Sequence, residues 1–497
     1  DAPAASPEWP MAHGPFGNFT PRRWGHRLVE DLRRARRLWL SEDNDLGYGK
    51  GSASGYVAVL FKRPAHPGSC SGPIVADQRI FSSSFRPSGS VWAENLPHLK
   101  NMKTPLRDEE LRKLQQELRL EADDLVLAVD RRTGRTVWKA VEERKGVNRY
   151  MGKRLGFGVA PVWFAGRVFA LGTTGRLYAY DAADGRKLWE TDIGKAHRAA
   201  EERKRRCLES KNLPGSWGWN SSLIAADGVL VAPAFDDPRA MGLLGIDPDT
   251  GRRLWERPGV NSPYATPALF QTEGRSCLLT ATLGGAMHLI SPRDGKVLWT
   301  VQGLAPNYAS LVCSAEHVFA YVDSAMKDRL GRTFARLAAF RVTPSRAEPA
   351  WTLPDRSELL LANWMDCAAH RCTAVRDGRV YLYARHDGLD GADGRHLAVV
   401  EEKTGEVLHV EENPWEGSLL SVVEDRLLHW KDAVHHDEDE IEMFRADPAD
   451  FRKLGSPWKP AESAATGYEV YMEVPYADGC LFFRTVTGHL SCYDLRA

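Results

Sequence analysis

Short stretches of alternating apolar and polar residues recur along this chain. Each is followed by an acid or hydroxyl, a Gly-containing turn and a Trp. Leu125-Val-Leu-Ala-Val-Asp130 runs into Arg-Arg-Thr-Gly134 and ends on Trp138. The unit returns at Leu177–Trp189, Leu243–Trp255 and His288–Trp299, with turns at Gly185, Gly251 and Gly295. A degenerate copy, His396–Leu408, has Leu408 in place of the Trp. Alternation at period two predicts a half-buried strand. Asp or Ser followed by Thr-Gly or Asp-Gly predicts a tight turn with Gly at positive φ. Another strand pair precedes each unit, as in Val159-Ala-Pro-Val-Trp163, the turn at Ala165-Gly166, and Arg167-Val-Phe-Ala-Leu171. Each repeat is therefore four short strands, a to d, with the Trp on strand d.

A lone four-stranded sheet leaves both faces in water, so the copies must stack around an axis. Trp138, Trp189, Trp255, Trp299 and Trp351 are spaced by 51, 66, 44 and 52 residues. One propeller blade takes roughly 40–50 residues, so the excess reads as inserted loops. Blades beginning near Ser69, Phe157, Trp217, Ser262, Pro306, Trp364, Trp415 and Ala465 make eight. The last stops at Cys492-Tyr-Asp-Leu-Arg-Ala497, after strand c, and Ala35-Arg-Arg-Leu-Trp39-Leu-Ser-Glu42 supplies the missing strand d. Closing the ring in this way removes an open sheet edge. The expectation is an all-β, eight-bladed propeller of antiparallel blades, with residues 1–26 as an extension and 27–497 as a single domain. Two charged segments, near 104–120 and 195–210, have helical spacing, the first capped by Thr104. They read as solvated insertions.

These units resemble the repeat of the PQQ-like (quinoprotein) β-propeller family, A-x-D-x-x-T-G-x-x-x-W, over roughly Arg27 to Ala497. The resemblance implies that Trp39, Trp138, Trp189, Trp255, Trp299 and Trp351 pack between neighbouring blades. The opening Trp9-Pro-Met-Ala-His13-Gly-Pro-Phe-Gly-Asn18 is similar to the W-P-x-x-R-G-P-x-x-N leader of exported bacterial members, with His13 at the Arg position. The family includes quinone-dependent dehydrogenases, outer-membrane assembly scaffolds and exported proteins associated with carbohydrate use, so fold alone does not choose a function.

Charge narrows the field. Lys+Arg and Asp+Glu each total 66, leaving no global field to collect nucleic acid or an anionic membrane. No apolar run is long enough to span a bilayer. The polar, proline-rich start, Asp1-Ala-Pro-Ala-Ala-Ser-Pro7, reads as an end left by signal-peptide removal and predicts a periplasmic or extracellular location. Eight Cys are present, with neither a Cys-Cys pair nor C-x-x-C. Cys367 and Cys372 lie close enough in sequence to bridge, while Cys277, Cys313 and Cys480 fall in apolar runs and read as buried thiols.

In a propeller, the d–a and b–c connections gather at one end of the channel. The d–a connections here carry Arg149 and Arg154, Trp217, Trp219 and Asn220, Tyr264, Asn307 and Tyr308, Trp364 and Asp366, Trp415 and Glu416, and Tyr468 and Glu469. Aromatics beside amides, acids and bases suit a sugar, whose C–H face stacks while its hydroxyls hydrogen-bond. Inter-blade packing is the alternative for each residue. Arg385-His386 on a b–c connection could neutralise a carboxylate and move a proton. With Tyr264 or Tyr308, this pair suits β-elimination of an acidic glycan, and Asp366, Glu416 and Glu469 suit hydrolysis. His435-His436-Asp437 could ligate a divalent metal such as Zn or Mn, with Ca also considered. The resemblance implies that a quinone cofactor would be held by Ca²⁺ against a Cys-Cys disulfide; lacking that pair, the chain is not expected to carry PQQ. The sequence thus favours a channel-mouth site for an acidic oligosaccharide. A non-catalytic scaffold docking protein partners is the alternative.

Overall fold

The computed structural model describes residues 8–44, 72–91, 108, 119–147, 158–193, 221–237, 240–263, 265–272, 274–306, 310–328, 330–362, 372–389, 392–413, 417–431, 440–461, 474–485 and 488–497. Eight antiparallel blades of four strands form an all-β propeller, as the repeat predicts. Blades 1 to 7 span 74–147, 162–192, 224–261, 268–301, 312–352, 373–412 and 417–458. Blade 8 takes strands a to c from 476–494 and strand d from Arg36–Asn44, so the ring closes with the expected N-terminal strand. A two-residue strand, Leu361–Ala362, joins blade 5 to blade 6. Among the described residues the only helices with defined bounds are three 3₁₀ turns. The segment near 195–210 lies outside the described residues, as does that near 104–120 except Asp108, which is helical, and Arg119 and Leu120. Those last two begin strand c of blade 1, Arg119–Asp130, rather than a helix.

The recurring Trp residues weld each blade to the next. The indole Nε1 of Trp39, Trp138, Trp189, Trp255, Trp299 and Trp351 donates to the backbone carbonyl of Arg131, Ala182, Pro248, Pro292, Thr343 and Glu402, at 2.7–3.0 Å. Each acceptor lies beside the c–d turn of the following blade. The ring also covers the turn: at Gly251 (φ +72°), a Cβ would stand 2.7 Å from the Trp189 indole. Gly is thus required there both for the backbone and for close approach. In blade 6 the docking position belongs to His409, opposite Val399, and not to Leu408. Its ring lies 4.8 Å from Phe451 of blade 7. A bulge after Val399 sets this register, and counting from Gly405 to the next apolar residue misses it.

The N-terminal extension visits the blades in order around the inside of the ring. Trp9 exchanges backbone hydrogen bonds with Val75 of blade 1, and Trp163 N of blade 2 donates to Pro10 O. Met11 is buried in the core cluster that also holds Ile224 of blade 3. Leu269 N of blade 4 donates to Gly17 O, and Asn18 and Thr20 donate to Cys313 O and Val375 O of blades 5 and 6. Trp24 N donates to Glu424 of blade 7, and His26 pairs with Asp478 of blade 8. The partners are inner strands a or their a–b turns, so the extension lies at the a–b end of the channel.

Candidate functional site

Buried polar side chains join the blades at both ends. At the a–b end His317 of blade 5 pairs with Glu402 of blade 6 at 3.1 Å, and the opposite, d–a end carries a longer series. Hydroxyls just ahead of strand a form a relay: Ala160 N donates to Ser222 Oγ at 3.0 Å, Ser222 N to Thr266 Oγ1 at 2.8 Å, and Thr266 N to Ser310 Oγ at 3.0 Å. This chain links blades 2, 3, 4 and 5. Between blades 8 and 1, the buried Arg484 donates to Ser84 Oγ at 3.3 Å.

Three buried carboxylates, Asp124, Glu142 and Glu442, serve this end. Asp124, on strand c of blade 1, accepts from Thr173 N (3.0 Å), Thr173 Oγ1 (3.2 Å) and Tyr178 OH (3.0 Å) of blade 2. Burial pushes its pKa up to about 6, against the opposing pull of those hydrogen bonds. Beside it, Glu142 accepts from Tyr180 OH at 3.1 Å and Lys187 Nζ at 2.9 Å. Between blades 6 and 7, Glu442 accepts from Asn413 Nδ2 at 3.1 Å and from Lys453 Nζ, with His429 Nδ1 3.7 Å away. Burial works to raise the Glu442 pKa, yet His429, Lys453 and Asn413 together hold it below the usual range. The strands leading into and out of the d–a connections all end on this face, because every blade runs a, b, c, d in antiparallel order.

Of the residues expected at the channel mouth, Arg385 and His386 are described. They are neighbours on the strand Arg379–Leu389 and so point to opposite sides of blade 6. His386 is 6% exposed, edge-on to Phe334 of blade 5 and stacked on His396, each at 6.4 Å. Arg385 is half-buried on the other side, which Tyr383 shares where its ring meets His429 at 5.0 Å. Arg149, Arg154, Trp217, Trp219, Asn220, Tyr264, Asn307, Tyr308, Trp364, Asp366, Trp415, Glu416, Tyr468 and Glu469 lie outside the described residues, as do His435, His436 and Asp437.

Asp124, Glu142, Glu442 and the hydroxyl relay are absent from the sequence expectation. The readable signal was an acid inside an apolar strand, as in Ala122-Asp-Asp-Leu125. Among the described residues, no group of three or more His, Cys, Asp or Glu is placed to hold a metal ion. The oxygens of Asp124 and Glu442 are bonded to protein donors. Cys277, Cys313 and Cys480 are buried thiols, as their apolar runs predict. No described helix is long and apolar enough to cross a membrane.

A family model described as outer membrane protein assembly factor BamB matches residues 122–322. Quinohemoprotein alcohol dehydrogenase from Comamonas testosteroni is a structural neighbour at 13% identity and a TM-score of 0.56, over 99% of this chain and 81% of that one. A europium-containing methanol dehydrogenase follows at 9% identity and 0.53, over 97% and 90%. BamB from Moraxella catarrhalis aligns at 11% identity and 0.47, over 75% and 91%. At these identities the likeness is one of fold. Comparison with curated proteins finds no match.

Proposed function

Because residues 122–322 match a family model of the PQQ-like β-propeller type, we propose that the chain is an exported binding propeller that docks a protein partner on its d–a face and performs no chemistry of its own. The observation that carries this reading is the asymmetry of the ring. The extension engages the blades along the a–b end, while the d–a end keeps acids and hydroxyls in its seams and bears the b–c hairpins. A rigid scaffold presenting loops at one end suits recognition. The hairpin of blade 5 supports the same face. Its tip holds Leu330 70% exposed, on a turn in which Asp328 accepts from Leu330 N and Arg332 N, both at 2.8 Å. The assembly-factor description of the matching family model supports a protein partner over a small molecule.

A second reading, an acidic oligosaccharide at the same mouth, is favoured by Trp217, Trp219, Trp364 and Trp415, which lie in sequence between the last strand of one blade and the first of the next. In it, Arg149, Arg154 and Arg385 meet carboxylates. The enclosure of His386 between Phe334 and His396 supports binding over lyase or hydrolase cleavage. Fluorescence anisotropy separates the readings. A labelled 12-residue peptide of alternating apolar and polar residues, standing for a strand of an outer-membrane protein, should bind, and a bulky thiol label on Leu330→Cys should abolish that binding. A uronate-rich oligosaccharide that raises the melting temperature while the peptide fails to bind overturns the proposal in favour of the glycan. An unsaturated product absorbing in the ultraviolet overturns the absence of catalysis.

A further inference from the structure

The leader belongs to no sheet of the propeller. It touches the ring through isolated bridges, Trp9 with Val75 and Leu28 with Arg496, and through single hydrogen bonds at successive blades. The blades are complete without it, since strand Arg36–Asn44 closes the last one. From Trp9 to Pro21 its partners are mostly backbone groups on inner strands. Trp9 N and Val75 O meet at 2.7 Å, Val75 N and Trp9 O at 2.9 Å, Trp163 N and Pro10 O at 2.8 Å, and Leu269 N and Gly17 O at 2.9 Å. Asn18 Nδ2 reaches Cys313 O at 3.2 Å, Thr20 Oγ1 reaches Val375 O at 3.3 Å, and Arg376 Nη1 reaches Pro21 O at 3.0 Å. Main-chain contacts of this kind give affinity to an added extended peptide, and pockets give it selectivity.

The pockets are present. Trp9 is 3% exposed and packs with Val75, Ile80 and Leu127 of blade 1. Phe19 is 7% exposed in the core of blades 5 to 7, its ring 4.1 Å from that of His13. Between these anchors, Gly17 crosses so close to blade 4 that a Cβ would lie 2.5 Å from Leu269 Cβ. Any side chain there would have to displace an inner strand.

We propose that the inner strands at the a–b end form a peptide-binding groove, filled here by the chain's own residues 9–21, whose external ligand is the same Trp-Pro-headed segment of a second copy. A leader seated in a neighbour's ring keeps every contact named above and links two chains, as in exchange of identical elements between protomers. The inference concerns the opposite end from the docking face proposed above and does not rest on it.

A protease site inserted at Gly25 of the full chain, where a Cβ would meet nothing within 4 Å, tests this. After cleavage, a fluorescent synthetic peptide of residues 8–22 should exchange into the nicked protein at one per ring, with circular dichroism and melting of the ring retained. The same peptide carrying Trp9→Ala should bind at least about 100-fold more weakly, as expected for a buried aromatic anchor. Unfolding of the nicked ring as its leader departs overturns the proposal, because the leader is then core and not ligand. So does a folded ring that takes up no peptide, or one that binds the Trp9→Ala peptide equally well.

Discussion

The two ends of the channel are built from the same eight inner strands and are held in different ways. At the a–b end, a segment outside the repeat runs from blade to blade, anchored by Trp9 and Phe19 and gripped by backbone hydrogen bonds. Polar groups there join both the leader and the blades: Glu424 of blade 7, for example, accepts from Trp24 N of the leader and from Tyr476 OH of blade 8. At the d–a end no such strap is described. Instead, side chains within the blades reach across the seams, as Asp124 does to Thr173 and Tyr178, and Ser222 to Ala160. The repeat already gives the two ends different connections, a–b and c–d turns at one and d–a and b–c connections at the other, and the added chain at the first end deepens that difference. Apolar anchors hold the leader at the first end, and the buried Asp124, its pKa raised, makes the second responsive to pH.

Three measurements break or sharpen that contrast. The largest effect is expected at the strapped end. Trp9→Ala removes a fully packed indole and should lower unfolding free energy by about 3–5 kcal/mol in denaturant titration, with little dependence on pH. Unchanged stability would mean that the leader is not docked. At the other end, Asp124 carries a folded-state pKa raised from 3.8 to about 6. For an acid raised on folding, the stabilisation is complete below pH 4 and is lost as pH rises through 6. The ionised group at pH 8 therefore costs roughly 3 kcal/mol relative to pH 3. Melting temperature should rise on acidification from pH 7.5 to 5, and Asp124→Asn should flatten that slope. A slope retained by the variant would assign the dependence to another group. The smallest effect belongs to a c–d turn, on the strapped side of the ring. Gly251→Ala forces a side chain into positive φ beneath Trp189 and should cost about 1–2 kcal/mol, equally at both pH values.

The ring was legible because its signal is local and repeated. Gly four residues before Trp marks a c–d turn wherever it occurs, and the stray Trp39 near the start announced the closing strand. The role of the leader was not legible, because its partners are spread over all the blades and no local pattern in Trp9–Asn18 reveals them. Apolar character points to Leu408, whereas the bulged register puts His409 at the docking position. The seams at the d–a end escaped notice for a related reason. Asp124 reads as the edge of a strand until the neighbouring blade brings Tyr178 against it. His386 and Arg385 looked like a pair in sequence, and strand geometry sends them to opposite sides.

Ser41 and Leu490 are hydrogen-bonded across a sequence separation of 449 residues, in the blade built from both ends of the chain. Such a contact cannot form before Leu490 has left the ribosome or a translocation pore. The ring therefore stays an open arc until its final strand arrives, and the entropy of closing so long a loop makes that event slow. Once formed, the same junction is where unfolding should begin, and a covalent bond placed across it should lengthen the lifetime of the folded protein more than one placed between any two consecutive blades.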